Sequence, residues 1–359
     1  MTLSIAIRVD ASASIGLGHV KRCLALAFAL RECGATVYFI ARNLGVDVQA
    51  LVRLAGFVGV VLPRTEEAMP AADIVPNAQW AGVSWDIDAS QTIAVLREKG
   101  VDWIIIDHYA FDSRWHNVVA SSLSCKLAAI DDLADRAIEA EVLIDHNLAD
   151  DHHIKYVGRI AENTTILGGP QFALLSSGFA SAARYSFQKD VRSIGIFMGG
   201  ADAGNFSATA LQACRQYGVG RPIEIVTTQI NPHLPSLRAK AAEDAFTTIL
   251  TDLPDLSAFF ARHDLQIGAG GGATWERCCI GAPTLALVVA DNQRQVLMPL
   301  LKKQAVITVE SVLPTVDDVA SAIGALIENP ALRRELSVRA LGLVDGLGAR
   351  RVAEQVVRA

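Results

Sequence analysis

The sequence has no basic stripe, no C-x-x-C pair, no H-E-x-x-H spacing and no apolar run near the roughly 20 residues that span a bilayer. Each absence narrows the function. A net charge of −6 without clustered Lys and Arg argues against a nucleic-acid or membrane-surface role. The six cysteines (Cys23, Cys33, Cys125, Cys214, Cys278 and Cys279) lie singly or adjacent in apolar segments. That pattern argues against zinc and disulfides and for buried thiols in a reducing compartment. The first ten residues, MTLSIAIRVD, have neither a basic n-region nor a long apolar h-region, so no secretory signal is expected. Short-period repeats and low-complexity tails are missing as well. The expectation is a soluble cytoplasmic protein that binds neither nucleic acid nor membrane.

What is present points to an α/β protein. With 359 residues, 51% of them hydrophobic, the chain can fill two ordinary cores. Short branched-aliphatic runs, "SIAIRV", "TVYFIA", "VGVVL", "WIIID" and "KLAAI", alternate with helical spacing over residues 19–33, 87–99 and 113–123. Continuous apolar strands between helices imply a parallel sheet covered on both faces. From about residue 131 to 189 the rhythm becomes irregular. A second series then runs through "SIGIF", "PIEIVTT", "FTTIL", "DLQIGAG", "PTLALVV" and "AVITV". Two such series predict two Rossmann-like domains, 1–180 and 181–359, with parallel sheets facing a central cleft. The helical stretch 316–358 is long enough for its last helix to return to the first half.

In open parallel sheets, ligands bind beyond the carboxyl ends of the strands, so the loops after each apolar run carry the information. The first, "VDASASIGLGHVKR", has Gly16 and Gly18 for tight backbone and His19 entering a helix whose free N–H groups suit an anion such as a diphosphate. A dinucleotide site would want a third glycine where Lys21 stands and an acid after the second strand, which ends "FIARN"; Arg42 leaves an NADP phosphate open. His19 can also be a capping or packing histidine. In "IIIDHYAFD", Asp107, His108 and Tyr109 follow a fully apolar strand, so at least one should face the ligand, unless Asp107 caps the turn and Tyr109 packs on the core. Asp131, Asp132, Asp145, His146 and Asn147 lack a metal-ligand spacing and are expected to be mostly caps and turn residues. In "FMGGADAGN", Gly199, Gly200 and Asn205 offer a second phosphate-sized nest or a plain turn with an Asn cap.

The most specific stretch is "IGAGGGATWERCCIGAPTLALVVADNQ". Gly270, Gly271 and Gly272 admit a ligand close to the backbone, and Thr274 supplies a hydroxyl. Glu276, one turn in, can accept from two vicinal hydroxyls such as a ribose. Asn292 and Gln293 can orient a sugar or its phosphates.

The Gly-rich helix start with Glu276 resembles the nucleotide-diphosphate site of GT-B glycosyltransferases of the MurG type. More closely, "RVDASASIGLGHVKRCLALA", "VDWIIIDHYAFDSRW", "AIDDLAD", "GGADAGN" and "GAGGGATWERCCIGAPTLALVVADNQ" resemble, in order, the PseG family of UDP-2,4-diacetamido-2,4,6-trideoxy-β-L-altropyranose hydrolases of pseudaminic acid biosynthesis. The resemblance runs from residue 8 to 293. It implies a GT-B fold in which water replaces the acceptor. His19 of G-x-G-H-x-x-R would act on the attacking water, Arg22 would complete the motif, and UDP would leave with inversion and without metal or cofactor. Asp10 and Tyr109 would orient His19 or the sugar; Gly270–Thr274 would hold the diphosphate and Glu276 the ribose. UDP is a good leaving group, so the paired carboxylates of ordinary glycosidases are dispensable. Gly272 and Ala273 stand where the family usually has hydroxyls, Ser176 and Ser177 follow "GPQFALL" where it often has arginine, and "LIDHN" replaces a more usual Asp-Gln-Asn. Two alternatives share these features: an inverting glycosyltransferase using a UDP-sugar, and a non-catalytic nucleotide-sugar-binding protein.

Overall fold

The computed structural model describes residues 2–64, 74–290, 293–309, 311 and 314–359. The chain divides into two compact units, Met1–Ser177 with Leu347–Ala359, and Gly178–Gly346.

Unit 1 is built on seven strands: β1 (Ser4–Val9), β2 (Thr36–Ala41), β3 (Val58–Val61), β4 (Trp103–Asp107), β5 (Lys126–Ile130), β6 (Val142–Asp145) and β7 (Thr165–Gly168). Their order is β3-β2-β1-β4-β5-β6-β7, and every pairing is parallel. The five apolar runs become β1 to β5 as expected. β6 and β7 lie in the stretch that reads as irregular. Four-residue strands bounded by Asp, His and Gly carry too short a pattern to stand out, and pairing beside β5 supplies the missing definition.

Side chains alternate across the sheet. Ile5, Ile7, Val9, Trp103 and Ile105 face the helix Gly18–Glu32, while Ala6, Ile104 and Ile106 face the other way, toward Ala89, Ile93 and Trp115. The final helix, Gly348–Arg358, places Val352, Ala353 and Val356 in the first of these cores, beside the Gly18–Glu32 helix. Gly348 makes this seat possible, because a Cβ there would lie 2.3 Å from the Ala173 carbonyl oxygen.

Unit 2 has six strands: β8 (Ile194–Phe197), β9 (Ile223–Thr227), β10 (Thr247–Thr251), β11 (Leu265–Ala269), β12 (Thr284–Leu287) and β13 (Ile307–Val309). The order is β10-β9-β8-β11-β12-β13, again parallel throughout. Each unit therefore has one switch point, β1/β4 in unit 1 and β8/β11 in unit 2, where neighbouring strands send their chains in opposite directions and leave a crevice. Among the described residues no helix is long and apolar enough to cross a membrane.

Candidate active site

At the β1/β4 switch point the chain leaves β1, turns through Gly16 (φ +76°, its N–H donating to the Ser12 carbonyl at 2.8 Å) and enters the helix Gly18–Glu32. His19 lies in the first turn of that helix and Arg22 three residues on, along the same face. Both close on Asp107, the last residue of β4. His19 Nδ1 is 2.6 Å from Asp107 Oδ1; Arg22 Nη2 donates to the same oxygen at 2.6 Å and Nε to Oδ2 at 2.7 Å. Asp107 is ionised: burial opposes the charge, but the Arg22 guanidinium and the His19 imidazole outweigh it and hold its pKa well below the usual carboxylate range. An ionised carboxylate can only accept, so Nδ1 of His19 carries a hydrogen, and in the neutral imidazole Nε2 then carries the lone pair. Among the described residues nothing bonds to Nε2, and the side chain is 11% exposed. Cys23 also leans on Asp107, Sγ to Oδ2 3.3 Å. Burial, then the Asp107 charge, push its thiol pKa well up, which makes Cys23 a donor rather than a nucleophile.

Aromatic rings frame the imidazole. Tyr109 meets its edge at 4.9 Å between centroids, Trp80 lies 6.2 Å from it at 90°, and the two aromatics are 5.6 Å apart. The Tyr109 hydroxyl donates to Asp132 Oδ1 at 2.5 Å, and Asn147 Nδ2 donates to Asp132 Oδ2 at 2.9 Å. Burial, reinforced by Asp132, pushes the phenol pKa well up, so Tyr109 stays protonated. Trp80 has no signal in the sequence; it sits in a short 3₁₀ turn, Ala78–Ala81.

The acids that read as caps and turns do more than that. Asp145 Oδ1 accepts from the Asn147 N–H at 3.0 Å, a local turn, while Oδ2 takes Lys155 Nζ at 2.6 Å and the Tyr156 hydroxyl at 3.2 Å. Asp131 likewise accepts from the Ala134 N–H and pairs with Arg136 Nη1 at 2.7 Å. Beside them His146 is buried, and desolvation followed by the Arg22 charge lowers its pKa to about 4. Their carboxylates thus knit the ends of β5 and β6 together.

Asp10 does not reach His19. Its carboxylate receives both Arg8 nitrogens at 2.6 and 2.8 Å and the Arg42 N–H at 2.6 Å, and His108 Nε2 lies 3.1 Å away. Arg8 and Arg42 also grip Asp88, with Arg8 Nη2 at 2.6 Å and Arg42 Nη2 at 3.0 Å. Two buried guanidinium groups and two buried carboxylates balance in one cluster. Strand alternation decides this. Asp10 shares the face of Arg8, whereas Asp107, in register with Val9, shares the face of the Gly18–Glu32 helix. The signal in the sequence is Arg8 itself, a charge inside an apolar strand that needs a buried partner two residues away. Arg42 is committed to Asp88, Gln91 and the Pro63 carbonyl.

In unit 2 the sequence-predicted residues gather at the β8/β11 switch point. Gly199 and Gly200 follow β8; Asn205 precedes the helix Phe206–Gln216 in a left-handed conformation (φ 57°) without capping it. Asp202 caps instead, accepting from the Phe206 and Ser207 N–H groups at 2.8 and 2.9 Å. That carboxylate fills the helix start for which the sequence offers a phosphate-sized nest or an Asn cap. After β11, the Gly270 N–H donates to Gln293 Oε1 at 3.2 Å, and so does the Val289 N–H at 3.1 Å. The Gln293 oxygen therefore staples two loops. The Thr274 hydroxyl is buried, 3.4 Å from the Ala269 carbonyl and receiving Arg277 Nη2 at 3.0 Å, so it is not offered outward. The backbone N–H groups of Gly271, Gly272 and Ala273, at the start of the helix Ala273–Ile280, find no acceptor among the described residues. Glu276 lies half-buried in the first turn. Asn292 lies outside the described residues.

No protein-family model matches the chain. It is 21% identical over 295 residues to the spore coat polysaccharide biosynthesis protein SpsG of Bacillus subtilis, covering 81% of this chain and 79% of SpsG. It is 22% identical over 301 residues to the UDP-2,4-diacetamido-2,4,6-trideoxy-β-L-altropyranose hydrolase of Campylobacter jejuni, covering 84% of this chain and 97% of that protein. The crystal structure of Acinetobacter baumannii MurG matches with a TM-score of 0.66 at 14% identity, over 99% of this chain and all of MurG. The chain thus has the two-domain, MurG-like GT-B fold and is a distant sequence relative of that hydrolase and of SpsG.

Proposed function

We propose that the protein hydrolyses a UDP-linked 2,4-diacetamido-2,4,6-trideoxy sugar, with His19 as general base. The observation that carries this reading is the oriented dyad: Asp107 holds Nδ1–H at 2.6 Å and leaves Nε2 without a partner among the described residues. In the reaction, His19 Nε2 takes a proton from water as the water oxygen bonds to the anomeric carbon. The bond from that carbon to the diphosphate oxygen breaks with its electron pair on UDP, and the configuration inverts. Asp107 stabilises the imidazolium that forms, as an orienting carboxylate does beside other catalytic histidines. Tyr109 and Trp80 supply apolar ring surface beside the imidazole, suited to a sugar that carries methyl and acetamido groups. Arg22, Gly16 and Gly18 shape the loop around His19. In unit 2, the Gly271–Ala273 N–H groups receive phosphate oxygens and Glu276 the ribose hydroxyls.

The likeness to MurG keeps a glycosyltransferase in view. Incubation with UDP-2,4-diacetamido donors, without acceptor, separates the two by following UDP and free sugar by NMR. Stoichiometric release of both, with the sugar appearing first as the inverted anomer, is expected. Absence of UDP release from every such donor refutes hydrolysis.

A further inference from the structure

Behind the glycine-rich loop of unit 2 lies a cation with no carboxylate. Arg277 is 1% exposed; its Nη2 donates to the Ala269 carbonyl at 2.8 Å and to Thr274 Oγ1 at 3.0 Å, while Nε and Nη1 have no hydrogen-bond partner among the described residues. Among the described residues no acid forms an ion pair with it. The other buried arginines differ. Arg8, Arg42 and Arg136, like the partly buried Arg22, each face an aspartate within 3.0 Å, and Arg333 donates to the Leu326 and Ile327 carbonyls at the negative end of a helix. Arg277 reaches instead toward the start of its own helix, the positive end, where a buried cation is doubly unfavourable. Burial accordingly lowers its pKa to about 10, and the neighbouring Cys278 and Glu276 offset only part of this.

Its position explains what such a charge is for. A Cβ on Gly268 would lie 2.4 Å from Arg277 Nη1 and 2.7 Å from the Phe197 carbonyl oxygen. The guanidinium is therefore wedged against the last residues of β8 and β11, at the switch point from which both glycine loops depart. In the same loop, the N–H groups of Gly271, Gly272 and Ala273 have no acceptor among the described residues.

We propose that Arg277 is the buried counter-charge of the nucleotide's diphosphate: it fixes the 269–274 backbone through Ala269 and Thr274 and supplies the positive field that balances the phosphates. It is a positioning residue, acting through the loop. The inference rests on the reading of unit 2 as the nucleotide-binding half.

Calorimetric titration of the full chain and of Arg277→Met and Arg277→Lys with UDP, inorganic pyrophosphate and uridine tests it, at low and raised salt. Arg277→Met is expected to lose ~10-fold or more in affinity for UDP and pyrophosphate, with a shallower salt dependence and unchanged uridine affinity. Arg277→Lys, which keeps the charge, is expected to retain more of the phosphate affinity. Wild-type affinity in Arg277→Met, or an equal fall for uridine, overturns the assignment. Should Arg277→Met not fold, Arg277→Lys must still weaken pyrophosphate and spare uridine, or the assignment fails. Wild-type protein that binds neither UDP nor pyrophosphate refutes the nucleotide reading instead.

Discussion

Asp107→Asn removes the charge of the dyad while keeping its shape. In the wild type the carboxylate oxygen lies 2.6 Å from His19 Nδ1, and Asp107 is fully buried. Once Nε2 has taken a proton, ring and carboxylate are opposite charges about 4 Å apart between centres. At an effective dielectric of about 20 their attraction is about 4 kcal/mol. Each ~1.4 kcal/mol withdrawn from the transition state is a factor of about ten, so kcat should fall ~10³-fold. Two effects push further in the same direction. The Arg22 guanidinium, 3.1 Å from Nδ1, loses its neutralising partner and then repels the imidazolium. An amide in place of the carboxylate can also donate toward Nδ1, which favours the tautomer whose Nε2 already carries hydrogen. Single-turnover release of UDP from the donor gives the rate, with UDP affinity and thermal unfolding measured in parallel. A folded Asp107→Asn protein with kcat within ~10-fold of wild type refutes the dyad. A parallel loss of UDP affinity would make Asp107 structural.

Asp10→Ala should cost about 3–5 kcal/mol in urea unfolding, because it leaves Arg8 without one of its two buried carboxylates, while kcat of the folded protein stays near wild type. A collapse of kcat at full stability would return Asp10 to the catalytic machinery. Burial depresses the pKa of His116 to about 3 and of His146 to about 4, so below the ordinary histidine value near 6.5 the unfolded chain binds more protons than the folded one. From these two groups stability is full above pH ~6.5 and falls on acidification toward pH ~4, each contributing up to one proton or about 1.4 kcal/mol per unit, and burial of His108 and His263, which lowers their pKa as well, steepens the fall. Urea midpoints across that range check this, and His116→Gln should lower the slope by up to one proton. Gly348→Ala should destabilise unit 1 by about 1–3 kcal/mol, since the new Cβ meets the Ala173 backbone, which cannot swing aside. Unchanged thermal stability would mean that the last helix is seated differently.

The legibility of this protein is uneven in a physically sensible way. Eleven of its strands announce themselves as apolar runs because both faces of a parallel sheet are buried and the pattern is continuous. Val142–Asp145 and Thr165–Gly168 do not, because each owes its extended form to the neighbour it pairs with. His19, Arg22 and Tyr109 stand out from their places after strands and at a helix start. Trp80, Asp88 and Lys155 are remote in sequence from the groups they serve, and no local periodicity marks them. Thr274 and Gln293 show the converse: hydroxyl and amide look like ligand contacts in a string of letters, yet each hydrogen-bonds to its own loops.

The sequence alone therefore determined where the strands with apolar runs and the tight turns after them fall, since these depend on apolar runs and backbone freedom within a few residues; Val142–Asp145 and Thr165–Gly168 needed their neighbours. Which acid holds the histidine was a tertiary decision. Asp10 and Asp107 both end strands at the same edge of one sheet, and composition and spacing do not separate them. The register that sets Val9 opposite Asp107 does so. It turns Asp107 toward the Gly18–Glu32 helix and Asp10 to the opposite face, because side chains on a strand alternate.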